Sequence, residues 1–203
     1  MWAPVTRVSS ERIGVLGGTF DPIHVGHLVV ASEVCHALDL DRVLLVPTHQ
    51  QPFKDDTGHA TPPQRLEMCE LAVASDPRLF VSDVDLARGT TTYTVDTLTD
   101  LHAAHPEADL FFIAGADAIA RLSEWRDADQ LPQLARFVAV TRPGHELSAL
   151  IATHIVVAAP PMGVSSTEVR RRLRAGAPVR YLVPDAVAAY IVQHSLYLGG
   201  SDA

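Results

Sequence analysis

Apolar residues in this chain occur in short continuous runs, and these runs alternate with longer segments in which apolar residues recur at helical spacing. Short apolar runs that end at glycine or proline are typical of buried strands, and the longer segments are typical of helices. Strands are predicted at 13–16, 42–47, 79–86, 109–117 with its exit turn, 136–141 and 155–158. Helices are predicted at 28–38, 66–74, 95–102, from Ser165 onward, and at 181–191.

This alternation predicts an α/β fold, with a mostly parallel sheet covered by helices on both faces. The length of 203 residues fits one domain. We expect residues 1–11 to be a loose N-terminal leader and residues 12–203 to form that single domain.

Composition narrows the class of protein. Hydrophobic residues make up 47% and charged residues 20%, which is typical of a globular chain. The net charge of −8 disfavours nucleic acid as a partner, because coating phosphates requires a basic face. The two cysteines, Cys35 and Cys69, lie in helical patterns, so we expect no disulfide and a reducing cytoplasm. No apolar run approaches 18 residues, and no membrane partner is expected.

A glycine turn follows the first predicted strand. Gly17 and Gly18 have no side chains, so backbone N–H groups there can approach an anion closely. The next helix begins a few residues later, and His24 and His27 lie at its start. A helix N-terminus attracts anions through its unpaired amides and its dipole, and two imidazoles add directed donors. This stretch therefore predicts a phosphate site.

The two histidines have two alternative interpretations, a zinc site and a coincidence. The zinc helix has histidines four residues apart with a glutamate between them, whereas His24 and His27 are three apart and no cysteine or third histidine lies close in sequence. No metal site is therefore predicted. The other interpretation is two unrelated histidines beside a turn, and the preceding Gly-Gly-Thr-Phe-Asp-Pro makes that coincidence implausible.

A second phosphate motif lies near the C-terminus. Ser165 and Glu168 have the spacing of a capping box, so a helix is predicted to begin there. Its first turn carries free amides and hydroxyls, and Arg170 follows one turn later, a combination that can bind a polyphosphate. The alternative is a capped helix with a basic, solvated face.

Residues 17–27, Gly-Gly-Thr-Phe-Asp-Pro-Ile-His-Val-Gly-His, resemble the signature of the HxGH nucleotidyltransferases, and in detail that of the bacterial nicotinate mononucleotide adenylyltransferases. The resemblance covers nearly the whole chain. It implies a Rossmann-like nucleotidyltransferase fold. It also implies adenylyl transfer from ATP to nicotinate mononucleotide, which yields nicotinate adenine dinucleotide and pyrophosphate in NAD biosynthesis.

The resemblance also implies roles for individual residues. The catalytic residues are His24 and His27. The residues implied to bind ATP are Gly17, Gly18, Thr19, Phe20, Lys54, Gly115, Asp117, Ser165, Ser166, Thr167 and Arg170. Those implied to bind nicotinate mononucleotide are Thr92, Tyr93, Thr94 and Trp125. Lys54 lies in a segment where the family has Pro-Pro-His-Lys, and here Phe53 replaces the histidine.

Purely structural roles remain open as alternatives for three of these positions. Lys54 fits an ordinary solvated lysine equally well. The run Thr92-Tyr93-Thr94 is also a capping signal for the helix that follows it. Trp125 has the alternative of packing in the core, although its sequence neighbours are polar.

The implied reaction needs no covalent intermediate and no general base, because the attacking phosphate is already ionised near neutral pH. Mg²⁺ is expected to arrive bound to ATP.

Two other functions remain as alternatives. One is a phosphopantetheine adenylyltransferase, which usually has threonine in place of His24 and no counterpart of Trp125. The other is a nucleotide-binding module without turnover. A homo-oligomer is also compatible with the sequence.

Overall fold

The computed structural model describes residues 10–50, 60–141 and 154–198. Within them the chain forms a parallel sheet of six strands in the order β3-β2-β1-β4-β5-β6. The strands are β1 (Arg12–Gly18), β2 (Arg42–Pro47), β3 (Leu79–Val81), β4 (Asp109–Gly115), β5 (Arg136–Thr141) and β6 (Ile155–Ala158). The helices are α1 (Val25–Ala37), α2 (Pro62–Val73), α3 (Val84–Arg88), α4 (Thr94–Ala104), α5 (Ala116–Ile119), α6 (Leu131–Leu134), α7 (Ser166–Arg174) and α8 (Asp185–Gln193), with a 3₁₀ turn at Leu122–Glu124.

The sheet is buried on both faces, which explains why its strands are continuous apolar runs. Side chains of β2 alternate between the faces, as strand geometry requires. Val43 and Leu45 pack in the cluster that contains residues of α1, α2 and α8. Leu44 and Val46 pack on the opposite face with residues of α4 and α6. The predicted α/β fold with helices on both faces is confirmed.

The strand order reverses between β1 and β4. From β1 the chain adds β2 and then β3 on one side, and it returns to pair β4 on the other side of β1. Neighbouring connections then diverge, which leaves a crevice beyond the carboxyl ends of β1 and β4. The predicted strand 13–16 is too short, because β1 continues through Gly17 and Gly18, which pair with β2, and the chain turns only after Gly18, at this crevice.

The predicted bounds 42–47, 136–141 and 155–158 agree with β2, β5 and β6. The predicted strand 79–86 is wrong beyond Val81, because Val84–Arg88 forms α3 instead. The carboxylate of Asp85 is buried in this turn, where Thr97 and Arg88 donate hydrogen bonds to it. The alternating pattern is typical of a strand, but here the polar side chain of Asp85 points inward and accepts from Thr97, which lies 12 positions further along the chain.

The predicted helix 181–191 begins later than expected, at Asp185. Tyr181 has φ 66°, a left-handed conformation that a helix does not accommodate. The carbonyl oxygen of Leu182 accepts a hydrogen bond from the N–H of Val25 at 2.9 Å. This segment therefore braces the first turn of α1 before α8 begins.

Several predictions fall on residues outside the described ranges. These are most of the leader 1–11, and Lys54 with its neighbour Phe53. In the described part of the chain, no helix is both long and apolar enough to span a bilayer.

Replacing Gly14 by alanine is expected to destabilise the sheet by about 1–3 kcal/mol, because the added methyl overpacks the core. An ideal Cβ at this position would lie 2.9 Å from Val43 and 3.1 Å from Ile113. Urea unfolding of the variant measures the change. The matched control is Gly163→Ala, where nothing lies within 4 Å of the added carbon, and equal midpoints for the two variants would contradict the prediction.

Candidate active site

A cleft of about 700 Å³ lies beyond the carboxyl ends of β1, β4, β5 and β6. The strands bring residues that are far apart in sequence to this one edge of the sheet. Those with predicted site roles that line the cleft are Gly17, His24, His27, Gly115, Asp117 and Ser165. The crevice expected from the strand order therefore contains the predicted phosphate motifs.

Residues at and just after the end of β1 pack against His27. Phe20 is buried at φ 50°, and its ring meets the ring of His27 edge-on at 4.9 Å. A Cβ on Gly18 would lie 2.9 Å from the Phe20 ring, so only glycine leaves room for it. The structure thus places Phe20 in the core, where it supports His27.

His24 and His27 form a stacked pair at the start of α1. Their ring centroids are 3.7 Å apart, and the ring planes differ by 18°. The backbone N–H of His24 donates to Nδ1 of His27 at 3.2 Å, which places the remaining proton of a neutral His27 ring on Nε2. A Cβ on Gly26 would lie 3.1 Å from the His24 ring, so the glycine between the histidines leaves room for that ring.

Both imidazoles are neutral near pH 7. Burial lowers the pKa of His24 to about 4. Burial also lowers the pKa of His27 to about 3, and the neighbouring His24 contributes in the same direction. The pair therefore offers hydrogen-bond donors without net charge, and positive charge for an anionic ligand must come from other groups.

The N-terminus of α7 faces the same cleft and is tied to the glycine turn. The hydroxyl of Ser165 caps the helix by accepting from the N–H of Glu168 at 3.2 Å, which confirms the predicted cap. The hydroxyl of Ser166 donates to the carbonyl oxygen of Pro22 at 2.9 Å. Glu168 pairs with Arg171 and Arg172.

Arg170 supplies positive charge where α7 meets the turn. Its Nη1 donates to the carbonyl oxygen of Asp21 at 2.6 Å and lies 3.7 Å from Oδ2 of the same residue. Its Nη2 lies 3.5 Å from the hydroxyl of Thr167, at the limit of hydrogen bonding. The guanidinium is therefore held between α7 and the turn.

The residues predicted to bind the acceptor lie beside a different part of the sheet edge. Tyr93 is the N-cap residue of α4 and makes no capping side-chain bond, so the capping interpretation of Thr92-Tyr93-Thr94 is wrong. The hydroxyl of Thr92 instead accepts from the N–H of His49 at 3.0 Å. These residues do not line the 700 Å³ cleft.

Trp125 is half-buried and packs edge-on against Phe112 and Phe137, at centroid distances of 5.8 and 6.3 Å. The next residue, Arg126, places its guanidinium 4.5 Å above the ring of Tyr93. The Trp125 segment and the start of α4 are therefore neighbours, as a shared pocket requires.

The sequence of this chain matches the cytidylyltransferase-like family over residues 15–172. A relative from Corynebacterium kroppenstedtii, named probable nicotinate-nucleotide adenylyltransferase, is 52% identical over 199 residues, which is 95% of this chain and 94% of the relative. A relative of the same name from Leifsonia xyli is 53% identical and covers 95% of this chain and 97% of its own. The chain belongs to the nicotinate-nucleotide adenylyltransferase family.

Solved structures agree with this family's fold. A Plasmodium falciparum nicotinic acid mononucleotide adenylyltransferase, complexed with NaAD, superposes with a TM-score of 0.74 at 20% sequence identity, covering 92% of this chain and 97% of that one. A structure from Vibrio parahaemolyticus, described as a putative nicotinate-nucleotide adenylyltransferase, gives a TM-score of 0.67 at 20% identity, covering 92% and 95%. The Rossmann-like nucleotidyltransferase fold is confirmed.

Arg65, which has no predicted role, supports the turn after β1 although it does not line the cleft. It is only 3% exposed, and it donates to the carbonyl oxygens of Thr19 at 2.7 Å and His49 at 2.9 Å. The available signal was its spacing on α2, because it shares a helical face with the buried Met68 and Cys69. An arginine within an apolar stripe indicates a buried partner.

No three His, Cys, Asp or Glu side chains are grouped as a metal site would require, in any segment that the structure describes.

The histidine pKa values predict that the free energy of unfolding falls between about pH 6.5 and pH 4. The unfolded chain takes up protons in this window while His24 and His27 in the fold do not, so stability is complete above the window and is lost as the pH falls through it. Because one pKa unit corresponds to about 1.4 kcal/mol, the loss is on the order of 3 kcal/mol for each histidine by about pH 4.

Urea unfolding at about pH 5 and about pH 8 measures this loss. The variant His24→Gln is expected to show a smaller difference between the two pH values than the unmodified protein. The control is His102→Gln, at an exposed position on α4, and an equal effect of the two variants would contradict the assignment.

Proposed function

We propose that this protein transfers the adenylyl group of ATP to nicotinate mononucleotide and releases pyrophosphate, a step of NAD biosynthesis. The observation that carries the proposal is the stacked, neutral pair His24 and His27, at the start of α1 in the cleft where the strand order reverses. Family membership supports the same reaction.

The reaction is an in-line displacement at the α-phosphorus of ATP. A phosphate oxygen of nicotinate mononucleotide forms the new P–O bond, and the bond between the α-phosphorus and the bridging oxygen of pyrophosphate breaks. The nucleophile is already an anion, so the enzyme needs no general base. Catalysis then depends on positioning and on stabilising charge in the transition state.

His27 is assigned to the α-phosphate. Its Nδ1 accepts from the backbone of His24, so its Nε2–H is the donor available to a phosphate oxygen. His24 stacks on it and contributes the second imidazole. A neutral donor held in place by the backbone needs no reorganisation when charge develops on the phosphorus oxygens.

The β- and γ-phosphates are assigned to Arg170 and to the N-terminus of α7. Ser165, Ser166 and Thr167 surround this turn, and the helix dipole adds positive potential there. Asp117, exposed in the cleft after Gly115, is assigned to the ribose hydroxyls of ATP. Lys54 stays a prediction for the phosphates, because it lies outside the described residues.

Mg²⁺ enters in this proposal as part of the ATP substrate. The ion commonly keeps waters and phosphate oxygens as ligands, so it needs no cage of protein carboxylates.

The acceptor is assigned to Thr92, Tyr93, Thr94 and Trp125. Tyr93 and Trp125 pack against the same core cluster, so the start of α4 and the tryptophan are held at a stable separation. In this assignment the tryptophan offers a stacking surface and the first turn of α4 offers amides and its dipole. The proposal also includes one catalytic domain over residues 12–203 and a cytoplasmic location, which the two free, buried cysteines support.

Replacing His27 by alanine is expected to leave the fold intact and to lower kcat by roughly 10² or more, as removal of a preorganised donor does. Pyrophosphate release from MgATP and nicotinate mononucleotide measures the rate. His36→Ala, an exposed histidine in the last turn of the same helix, is the control and is expected to keep full activity. A folded His27→Ala variant with normal turnover would overturn the assignment of His27.

The enzyme is expected to prefer nicotinate mononucleotide over nicotinamide mononucleotide by roughly 10² in kcat/KM. The amide of the second substrate would turn its own N–H donors toward the amides of α4 and leave polar groups unpaired. Both acceptors are compared at saturating MgATP, with phosphopantetheine as a third. Comparable values for the two pyridine nucleotides would show a pocket that does not select the carboxylate, and turnover of phosphopantetheine alone would identify a different enzyme.

A further inference from the structure

Asp21 joins the glycine turn to the C-terminal end of the described chain. It is 2% exposed, and its Oδ1 accepts from the hydroxyl of Tyr197 at 2.5 Å and from the N–H of Ala60 at 3.1 Å. Tyr197 lies 176 positions further along the sequence. This buried carboxylate is therefore a link between distant segments of the chain.

Tyr197 is suited to act as a permanent donor to this carboxylate. It is 7% exposed, and its ring packs in the core cluster that contains residues of α1, α2 and α8. Burial raises the pKa of its hydroxyl, and the charge of Asp21 raises it further. Both effects favour the protonated hydroxyl, which is the form that donates to Asp21.

Arg170 meets the same residue from the other side. Its Nη1 donates to the backbone oxygen of Asp21 at 2.6 Å, but lies at the longer distance of 3.7 Å from Oδ2. The guanidinium is thus fixed by the backbone and forms only a loose ion pair with the carboxylate. The carboxylate neutralises a guanidinium held in this way less than it would in a close ion pair, so the guanidinium attracts an anionic ligand more strongly.

The hydroxyl of Tyr197 helps to keep the ion pair loose. Among the described residues it donates to Oδ1 together with the N–H of Ala60, whereas the 3.7 Å approach of Arg170 is to Oδ2, so these donors and the guanidinium meet different oxygens of the carboxylate. Without the hydroxyl the carboxylate is held less firmly. Arginine and carboxylate groups favour a bidentate pair, and such a pair would draw the guanidinium closer to the Asp21 carboxylate.

We propose that Tyr197 is a positioning residue for the ATP polyphosphate, which acts through Asp21 to keep the Arg170 guanidinium available to the β- and γ-phosphates. The inference rests on the proposed function, because it takes Arg170 as a polyphosphate ligand. It assigns a substrate-binding role to a side chain that is buried outside the cleft.

The test is Tyr197→Phe, which removes the hydroxyl and keeps the ring. Binding is measured by calorimetry with magnesium and an ATP analogue that has a methylene bridge between the α- and β-phosphates, so that no turnover is needed. The dissociation constant of the analogue is expected to rise by roughly five- to tenfold. That of nicotinate mononucleotide is expected to stay within about twofold of its original value.

The matched control is Tyr190→Phe. Tyr190 is a second buried tyrosine of the C-terminal region, 6% exposed, and its hydroxyl donates to Glu67 at 2.8 Å, outside the Asp21 cluster. Loss of a buried hydroxyl lowers the melting temperature in both variants, but only Tyr197→Phe is expected to weaken analogue binding. Equal weakening in the two variants would reduce Tyr197 to a general structural role and overturn the proposal.

A double-mutant cycle tests whether Tyr197 acts through Arg170. In an Arg170→Ala background, Tyr197→Phe is expected to have no further effect on analogue binding, because the group through which it acts is absent. Additive losses would overturn the proposal.

If Tyr197→Phe fails to fold, Asp21→Asn provides the second test. This variant keeps an oxygen acceptor and removes the charge beside Arg170. The dissociation constant of the ATP analogue is expected to change, and that of nicotinate mononucleotide is expected to stay the same.

Failure of this inference is distinguishable from failure of the proposed function. If the unmodified enzyme does not bind the ATP analogue at all, the proposed function fails. If it binds the analogue and the Tyr197→Phe and Asp21→Asn variants bind it equally well, only the role of Tyr197 is overturned.

Discussion

The site depends on the requirement that buried backbone carbonyl groups find hydrogen-bond donors. The turn after β1 leaves the sheet before α1 begins, so its carbonyl groups are not satisfied by either element. Three of them receive donors from side chains elsewhere in the chain. The pairs are Thr19 with Arg65, Asp21 with Arg170, and Pro22 with the hydroxyl of Ser166. Satisfying the turn therefore brings α2 and α7 to one place.

The same contacts also hold positive charge near the proposed site for anions. The chain has a net charge of −8, yet the proposed substrates are anions. His24 and His27 are neutral because they are buried, so they orient an anion without attracting it from a distance. Positive charge comes from guanidinium groups that the turn carbonyls hold in place, and from the helix N-termini at the cleft. In the proposed function, arginine therefore supplies the attraction for the anion and imidazole supplies the directed hydrogen bonds.

Sequence patterns failed where a polar side chain points inward to a distant partner. Residues 79–86 alternate as a strand does, but the buried Asp85 accepts hydrogen bonds from Thr97 and Arg88, and Val84–Arg88 forms α3. The alternative for the run 92–94 was a cap for α4, and the hydroxyl of Thr92 accepts from the N–H of His49 instead. Arg65 was overlooked because its partners, the carbonyl groups of Thr19 and His49, carry no signal in the sequence. Each error involves a contact between segments that local periodicity does not describe.

The sequence by itself determined the fold class, most of the strands, the Ser165 cap and the positions of the two motifs that are predicted to bind phosphate. These features follow from local chemistry: apolar runs end at glycine, a hydroxyl caps the helix that follows it, and imidazoles stand at a helix start. Only the tertiary structure decided that His24 and His27 stack and stay neutral, and that Arg170 is held by Asp21. Burial and long-range hydrogen bonds exist only once the strands have assembled, because the partners are separated by up to 176 positions in the chain.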